Sequence, residues 1–134
     1  MIARLIFVIS IVAACLGCET TITSPTPTAK PIDVNAFTSK VSPAGSASRE
    51  FTLVTGGKVG VTLTSTTPAD TVLGMGLGIP RSDGSCALSE AVATTAGDSA
   101  QLALNADGGL FCVKVYDPGG LTAPVAFTLA ISRP

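Results

Sequence analysis

The sequence predicts an all-β domain, a sandwich or barrel of about eight short antiparallel strands. Of the 134 residues only 13% are charged and 4% aromatic, whereas 14 Gly and 9 Pro supply turns, a composition that fits a small β-rich domain better than a helical bundle. Apolar segments recur at short intervals after Asp33, separated by Gly, Pro, Asp and Ser. Within most of them apolar residues alternate with polar or small ones, as in strands with one buried face.

The first four predicted strands differ in the strength of this alternation. Residues 34–41 form a weak strand closed by a Pro-Ala-Gly turn, and residues 51–53 a short one closed by Gly56 and Gly57. Val59, Val61 and Leu63 alternate strictly with Lys and Thr, with Thr62 and Thr64 on the other face. The fourth strand, 73–79, places Leu73, Met75, Leu77 and Ile79 on one face and Gly74, Gly76 and Gly78 on the other, which predicts close backbone approach to another element.

The last four predicted strands complete the domain. Residues 87–94 are the least regular, and Ala100, Leu102 and Leu104 mark the next strand. After an Asp-Gly-Gly turn the alternation resumes over 111–115 and again over 125–131. The apolar faces take four of the six aromatic residues into the predicted core, namely Phe37, Phe51, Phe111 and Phe127. An exposed aromatic platform for sugars or bases is therefore not expected.

The residue types exclude several kinds of chemistry. The chain contains no His, which removes Ser/His/Asp and Cys/His nucleophile systems and the commonest transition-metal ligand. Eight Lys and Arg nearly balance nine Asp and Glu, so the composition does not predict a basic surface for binding nucleic acid. We therefore expect a protein that is not an enzyme, requires no cofactor and does not bind nucleic acid.

The N-terminus has the features of a secretion signal. Arg4 precedes an apolar run over 5–16, which is shorter than the about 20 residues of a membrane-spanning helix. A Cys at the end of the run makes this segment resemble the lipobox of bacterial lipoproteins, in which a small residue precedes the Cys that is lipidated and becomes the first mature residue. Residues 12–15 match that pattern better residue by residue, but Gly17 is the favoured residue before Cys18.

Signal length and cysteine number favour lipidation at Cys18, with Cys15 as the alternative. Cleavage before Cys15 would leave a signal of 14 residues and would add an odd thiol to the mature chain in an oxidising compartment. Residues 1–17 are then the lipoprotein signal peptide. The resemblance implies export across the inner membrane, and Glu19 implies an outer-membrane or cell-surface location, because Asp at that position is the enteric retention signal.

Residues 18–33 are predicted to be a disordered Thr/Pro-rich tether. Their few apolar side chains cannot offset the entropy of ordering, and the composition favours extended polyproline-like conformations. Thirteen residues, 19–31, at about 3.1 Å each reach on the order of 40 Å. The tether would lift a domain of residues 34–134 from the membrane.

Cys86 and Cys112 are predicted to form a disulfide. Cys112 has the opposite parity from Phe111 and Val113, so it should point away from the main core, toward a neighbouring strand or loop that carries Cys86. Two thiols without His cannot complete a tetrahedral zinc site. A disulfide is therefore the expectation, and it would stabilise a small domain by closing a loop.

Residues 37–134 resemble the bacterial pre-peptidase C-terminal domain. The resemblance rests on Phe51-x-Leu53, on Gly57-x-Val59-x-Val61-x-Leu63, on the strand over 73–79 and on Gly109-x-Phe111-x-Val113-x-Val115. It implies a jelly-roll β-sandwich. It also implies a role in the secretion, localisation or substrate contact of an enzyme, with calcium in some relatives.

The Asp residues of the predicted turns, Asp70, Asp83, Asp107 and Asp117, are expected to accept local backbone hydrogen bonds. Asp107 and Asp117 are also the candidates for calcium ligands. The Gly97-Asp98-Ser99 segment is expected to be a turn, since a nucleophilic Ser would need a His base.

The first functional hypothesis is a non-catalytic, lipid-anchored envelope protein that contacts another envelope protein or polymer through its loops. The alternative is an accessory domain that assists a secreted peptidase and binds calcium or peptide.

Overall fold

The structure, a computed structural model, describes residues 33–134. The predicted signal peptide, Cys15, Cys18 and the predicted tether up to residue 32 lie outside the described residues. The described part contains eight β-strands, as predicted: β1 Asp33–Val41, β2 Ser46–Leu53, β3 Gly57–Thr67, β4 Leu73–Pro80, β5 Cys86–Thr94, β6 Leu102–Ala106, β7 Gly109–Tyr116 and β8 Val125–Arg133.

The strands form two four-stranded antiparallel sheets with the orders β1-β8-β3-β6 and β2-β7-β4-β5. The pairs β1 with β8, β2 with β7, β3 with β6 and β4 with β5 are nested like the two arms of one long hairpin. Rolling that hairpin over itself distributes alternate pairs to opposite sheets, which is the jelly-roll arrangement. The expectation of a jelly-roll-like β-sandwich is confirmed.

This topology separates the strand connections into two groups at opposite ends of the sandwich. Because all neighbours are antiparallel, β1 begins and β8 finishes at one end, where Asp33 is in register with Arg133. We call this the tether end; it also carries the connections 54–56, 81–85 and 107–108. The loop end, about 30 Å away along the nine residues of β1, carries the connections 42–45, 68–72, 95–101 and 117–124.

The core lies between the sheets and consists of the inward residues of the alternating strands. Leu63, Leu73 and Leu129 are fully buried. The four Phe predicted to enter the core lie in it or against it. They form two pairs: Phe37 meets Phe127 edge to face with centroids 5.4 Å apart, and Phe51 stacks on Phe111 across the β2–β7 ladder at 6.1 Å.

Two arginines connect the sheets along the edge formed by β1 and β2. Arg49 of β2 donates from Nη1 to the carbonyl of Ala36 in β1 at 2.8 Å, and its guanidinium lies 5.8 Å from the ring centroid of Phe37. Arg133 of β8 donates to the carbonyl of Thr52 in β2 at 2.8 Å. Both contacts add cross-sheet hydrogen bonds where β1 and β2 have no further strand partner.

The β5–β6 connection corrects the predicted start of β6. Ala100 is exposed and precedes the strand, which begins at Leu102. Before the strand begins, the side chain of Gln101 forms hydrogen bonds with the backbone of β3. Its Oε1 accepts from the amide of Leu63 at 2.9 Å, and its Nε2 donates to the Leu63 carbonyl at 3.3 Å. The side-chain amide thus pairs with β3 as a backbone amide would.

A β-bulge in β3 changes which residues face the core. The β3–β8 register shifts between Leu63 and Ser65, so that Thr66 comes opposite Phe127. Thr66 is consequently buried while Ser65 is exposed. The Oγ1 of Thr66 has no hydrogen-bond partner within residues 33–134.

The predicted glycine face of β4 is covered, as expected. An added Cβ would meet the ring of Tyr116 at Gly74, the side chain of Leu88 at Gly76 and the backbone of Ala87 at Gly78. The expectation for Ile79 was wrong: its side chain is 57% exposed, because the β4–β5 register shifts after Leu77 and the strand leaves the core near the tether end.

The Cys86–Cys112 disulfide is present, with Cα atoms 5.9 Å apart. Cys112 is buried but lies outside the main core cluster, as its parity predicts. Cys86 begins β5, which is separated from β7 by β4 in the sheet. At the register shift, the backbone of Ala87 crosses directly over Gly78. Because Gly78 has no Cβ, β5 can approach β4 closely at this point. Cys86 of β5 therefore reaches Cys112 of β7 across β4, the strand that lies between them.

Candidate functional site

The loop end carries a small concave surface. A cavity of about 230 Å³ lies between the β3–β4 and β7–β8 connections. Its lining is formed by Pro68, Thr71, Gly120, Leu121, Thr122, Ala123, Pro124 and Val125. Pockets for drug-sized ligands typically measure about 300–1,000 Å³, so this cavity fits a side chain or a small group of a larger partner.

The cavity wall combines apolar side chains with hydrogen-bonding groups. The lining contains no ionisable side chain. The hydroxyl of Thr71 donates to the carbonyl of Pro68 at 2.6 Å, which closes the β3–β4 connection on itself. Thr122 is exposed beside it. Such a wall can hold an apolar group and form a hydrogen bond with a neighbouring amide.

Asp117 holds two of the loop-end connections together. Its Oδ1 accepts from the amides of Gly119, Gly120 and Leu121 at 2.8, 3.0 and 3.2 Å. Its Oδ2 accepts from the amide of Ala44 in the β1–β2 connection at 2.8 Å. Each carboxylate oxygen is therefore engaged by backbone amides, and the cavity-forming β7–β8 connection is fixed to its neighbour.

The same amides alter the acidity of Asp117. Hydrogen bonds from the amides of Ala44 and then Gly119 lower the pKa of Asp117 below its usual value, because they favour the ionised carboxylate. Two backbone hydrogen bonds reinforce the junction: Asp117 donates to the carbonyl of Gly45 at 3.0 Å, and Gly45 donates to Ser42 at 2.8 Å.

The structure separates the two candidates for calcium ligands. Asp107 lies in the connection at the tether end and Asp117 at the loop end, on either side of β7. The eight residues of β7 span about 27 Å, so the two carboxylates do not form one site. Within residues 33–134 no group of three or more His, Cys, Asp or Glu is placed to hold a metal ion.

The other Asp-containing segments are in connections, as predicted. Asp83 accepts from the amide and the hydroxyl of Ser85 at 2.9 and 2.6 Å, and these bonds lower the pKa of Asp83. The Gly97-Asp98-Ser99 segment belongs to the β5–β6 connection, where the Gly97 amide donates to the carbonyl of Leu63 at 2.9 Å.

The sequence did not reveal the roles of Gln101, Arg49 or Thr66. Gln101 and Arg49 bond to backbone atoms 38 and 13 residues away along the chain, and no local pattern marks such partners. A break in the alternation after Leu63 was the only available signal for the bulge that buries Thr66.

The class of protein that this fold and site define is a disulfide-linked jelly-roll β-sandwich with a small cavity among its loops. A scan against protein-family models gave no match, and a search of curated proteins gave no significant match. No helix within residues 33–134 is both long and apolar enough to cross a bilayer.

Proposed function

We propose that this chain is a non-catalytic, lipid-anchored protein of the bacterial cell envelope whose sandwich presents its loop end to a partner. The partner is another envelope protein or a polymer. Lipidation is assigned to Cys18, with Cys15 as the alternative, and the location to the outer membrane or cell surface. Kinship with the pre-peptidase C-terminal domain is part of the same proposal.

One observation carries this proposal. The described chain begins at the tether end, whereas the cavity and the Asp117 junction are about 30 Å away at the loop end. An anchor that precedes β1 therefore leaves the loop end free to face away from the membrane. The cavity wall, which exposes both apolar and hydrogen-bonding groups and has no ionisable side chain, suits a binding role.

The anchor is tested by palmitate labelling in bacteria that express the full chain. The C18S variant should lose the label and leave the membrane fraction, while C15S should keep both, because only one Cys becomes the lipidated first residue. Labelling that survives in C18S but not in C15S would reassign the anchor to Cys15. Wild-type protein without any label would refute the lipoprotein assignment.

The binding surface is tested by photo-crosslinking in the native envelope. A photoreactive residue replaces Thr122 at the loop end in one variant and Ser82 at the tether end in the control; both positions are exposed. The proposal predicts a discrete adduct from position 122 that is absent from position 82. Equal capture at the two positions, or none at 122, would argue against a loop-end partner.

A further inference from the structure

The exposed apolar side chains of the domain are concentrated at the tether end. Six large hydrophobic residues are exposed within residues 33–134. Only Val72, in the β3–β4 connection, belongs to the loop end. The other five lie at or toward the tether end: Val34, Val54, Ile79, Leu88 and Leu110.

Three of these residues lie at the tether end of three adjacent strands of the β2-β7-β4-β5 sheet. Val54, 91% exposed, directly follows β2. Leu110 is in register with Thr52 on the neighbouring β7. Ile79 lies near the end of β4, just after Gly78 pairs with Cys112 of β7. We call Val54, Ile79 and Leu110 the apolar rim; they come from three adjacent strands at the end where the chain enters the domain.

Charge differs modestly between the two ends. The loop-end connections carry three Asp and no Lys or Arg, whereas the tether-end connections carry Arg81 with Asp83 and Asp107. One exposed lysine lies beside each set of connections, Lys40 at the loop end and Lys58 at the tether end. The loop end is therefore the more acidic of the two, and acidic loops are repelled by anionic lipid headgroups. Apolar exposure orients the tether end toward a bilayer, and this charge difference does not oppose that orientation.

We infer that the apolar rim is a membrane-contact surface, so that the domain rests on the bilayer by its tether end instead of standing clear of it. This inference depends on the proposed lipid anchor, which keeps the rim at high local concentration beside the membrane. Apolar side chains of peripheral proteins enter about 5–10 Å into the headgroup and acyl boundary. The tether length sets only the maximum distance, so it permits contact as well as separation.

The absence of Trp from the chain allows a single-site fluorescence test. Val54→Trp reports on the rim and Val72→Trp, an exposed valine at the loop end, is the matched control. Both are made in the full-length lipoprotein, purified from membranes and reconstituted into phosphatidylcholine vesicles with lipids brominated near the top of the acyl chain. Matching thermal melts with the wild type establish that each variant is folded.

We expect the fluorescence emission of V54W to shift to shorter wavelength and to be quenched by about half by the brominated lipid. The emission of V72W should change little, because only the rim reaches the acyl boundary. Equal quenching of both variants, or none of V54W on vesicles that carry the protein, overturns the contact while the anchor stands. If the emission of V54W shifts to shorter wavelength as the protein concentration rises but is not quenched by brominated lipid, the rim contacts a second copy of the chain, and the membrane contact is overturned. Protein that fails to float with the vesicles overturns the anchor and the contact together.

Discussion

At the scale of single residues, Asp117 is the clearest case of a side chain whose role depends on backbone partners from another part of the chain. It lies in a predicted turn, and turn chemistry accounts for its bonds to Gly119, Gly120 and Leu121. The bond to Ala44, 73 residues away, is a tertiary contact. Together these bonds make Asp117 a structural residue of the loop end.

Asp117→Asn should lower the melting temperature at neutral pH. One carboxylate oxygen is replaced by an NH2 group, which cannot accept a hydrogen bond from a backbone amide such as that of Ala44. The pKa of Asp117 is lowered in the folded state, so its carboxylate stabilises the fold above the unfolded pKa of about 3.9. That contribution is lost as the pH falls through the folded pKa. The melting temperatures of D117N and wild type should therefore approach each other as the pH is lowered from 7 to 2.

The control for this change is Asp107→Asn, an exposed Asp in the tether-end connection. It should melt with the wild type at neutral pH. If the melting temperatures of D117N and wild type differ by the same amount from pH 7 down to pH 2, the assigned role of the carboxylate is contradicted.

Thr66 gives a prediction of opposite sign. Its buried hydroxyl lacks a partner within residues 33–134, so Thr66→Val should raise the free energy of unfolding by about 1 kcal/mol. Thr64→Val is the control on the same strand: this hydroxyl is exposed and donates to the carbonyl of Thr128 at 3.0 Å, so its removal should not stabilise. Urea denaturation measures both; a destabilised T66V would mean that the hydroxyl is hydrogen-bonded.

At the scale of elements, β4 depends on glycine for its packing, and the three positions are not equivalent. Gly74 faces an aromatic side chain that can move, whereas Gly78 faces the backbone of Ala87. The sequence predicted the close approach from the Gly-x-Gly-x-Gly alternation. It did not indicate that β5 crosses Gly78 to bring Cys86 to Cys112, because that crossing depends on the register shift between β4 and β5.

Gly78→Ala should lower the free energy of unfolding by about 3 kcal/mol or more, since a Cβ there overlaps backbone that cannot rotate away. It should also leave reactive thiols, because the displaced β5 separates the cysteines. Gly120→Ala, where an added Cβ meets no atom within 4 Å, should change stability by less than about 0.5 kcal/mol. Urea denaturation and thiol titration test the pair; equal effects would contradict the backbone clash.

At the scale of the whole molecule, one disulfide links strands that do not pair with each other. Cys86 and Cys112 are 26 residues apart, and closing such a loop stabilises by about 3–4 kcal/mol in the chain-entropy model. Small domains have a total stability of about 5–15 kcal/mol. The bond therefore supplies a large share of the stability of a sandwich with few aromatic residues.

The C86A/C112A double variant should unfold at a lower denaturant concentration than the oxidised wild type. Reductant should lower the stability of the wild type toward that of the variant, and it should leave the variant unchanged. Urea unfolding with and without reductant measures this. A wild type indifferent to reductant would show that the disulfide does not contribute to stability.

The sequence by itself determined the number and approximate position of the strands, the core aromatics and the cysteine pair. These follow from local alternation, turn residues and the count of cysteines, all of which are written along the chain. Only the tertiary structure decided the exposure of Ile79, the burial of Thr66 and the strand-like role of Gln101. Each depends on a register shift or on a partner distant in sequence. The separation of tether end and loop end likewise arises from the order in which the eight strands pair.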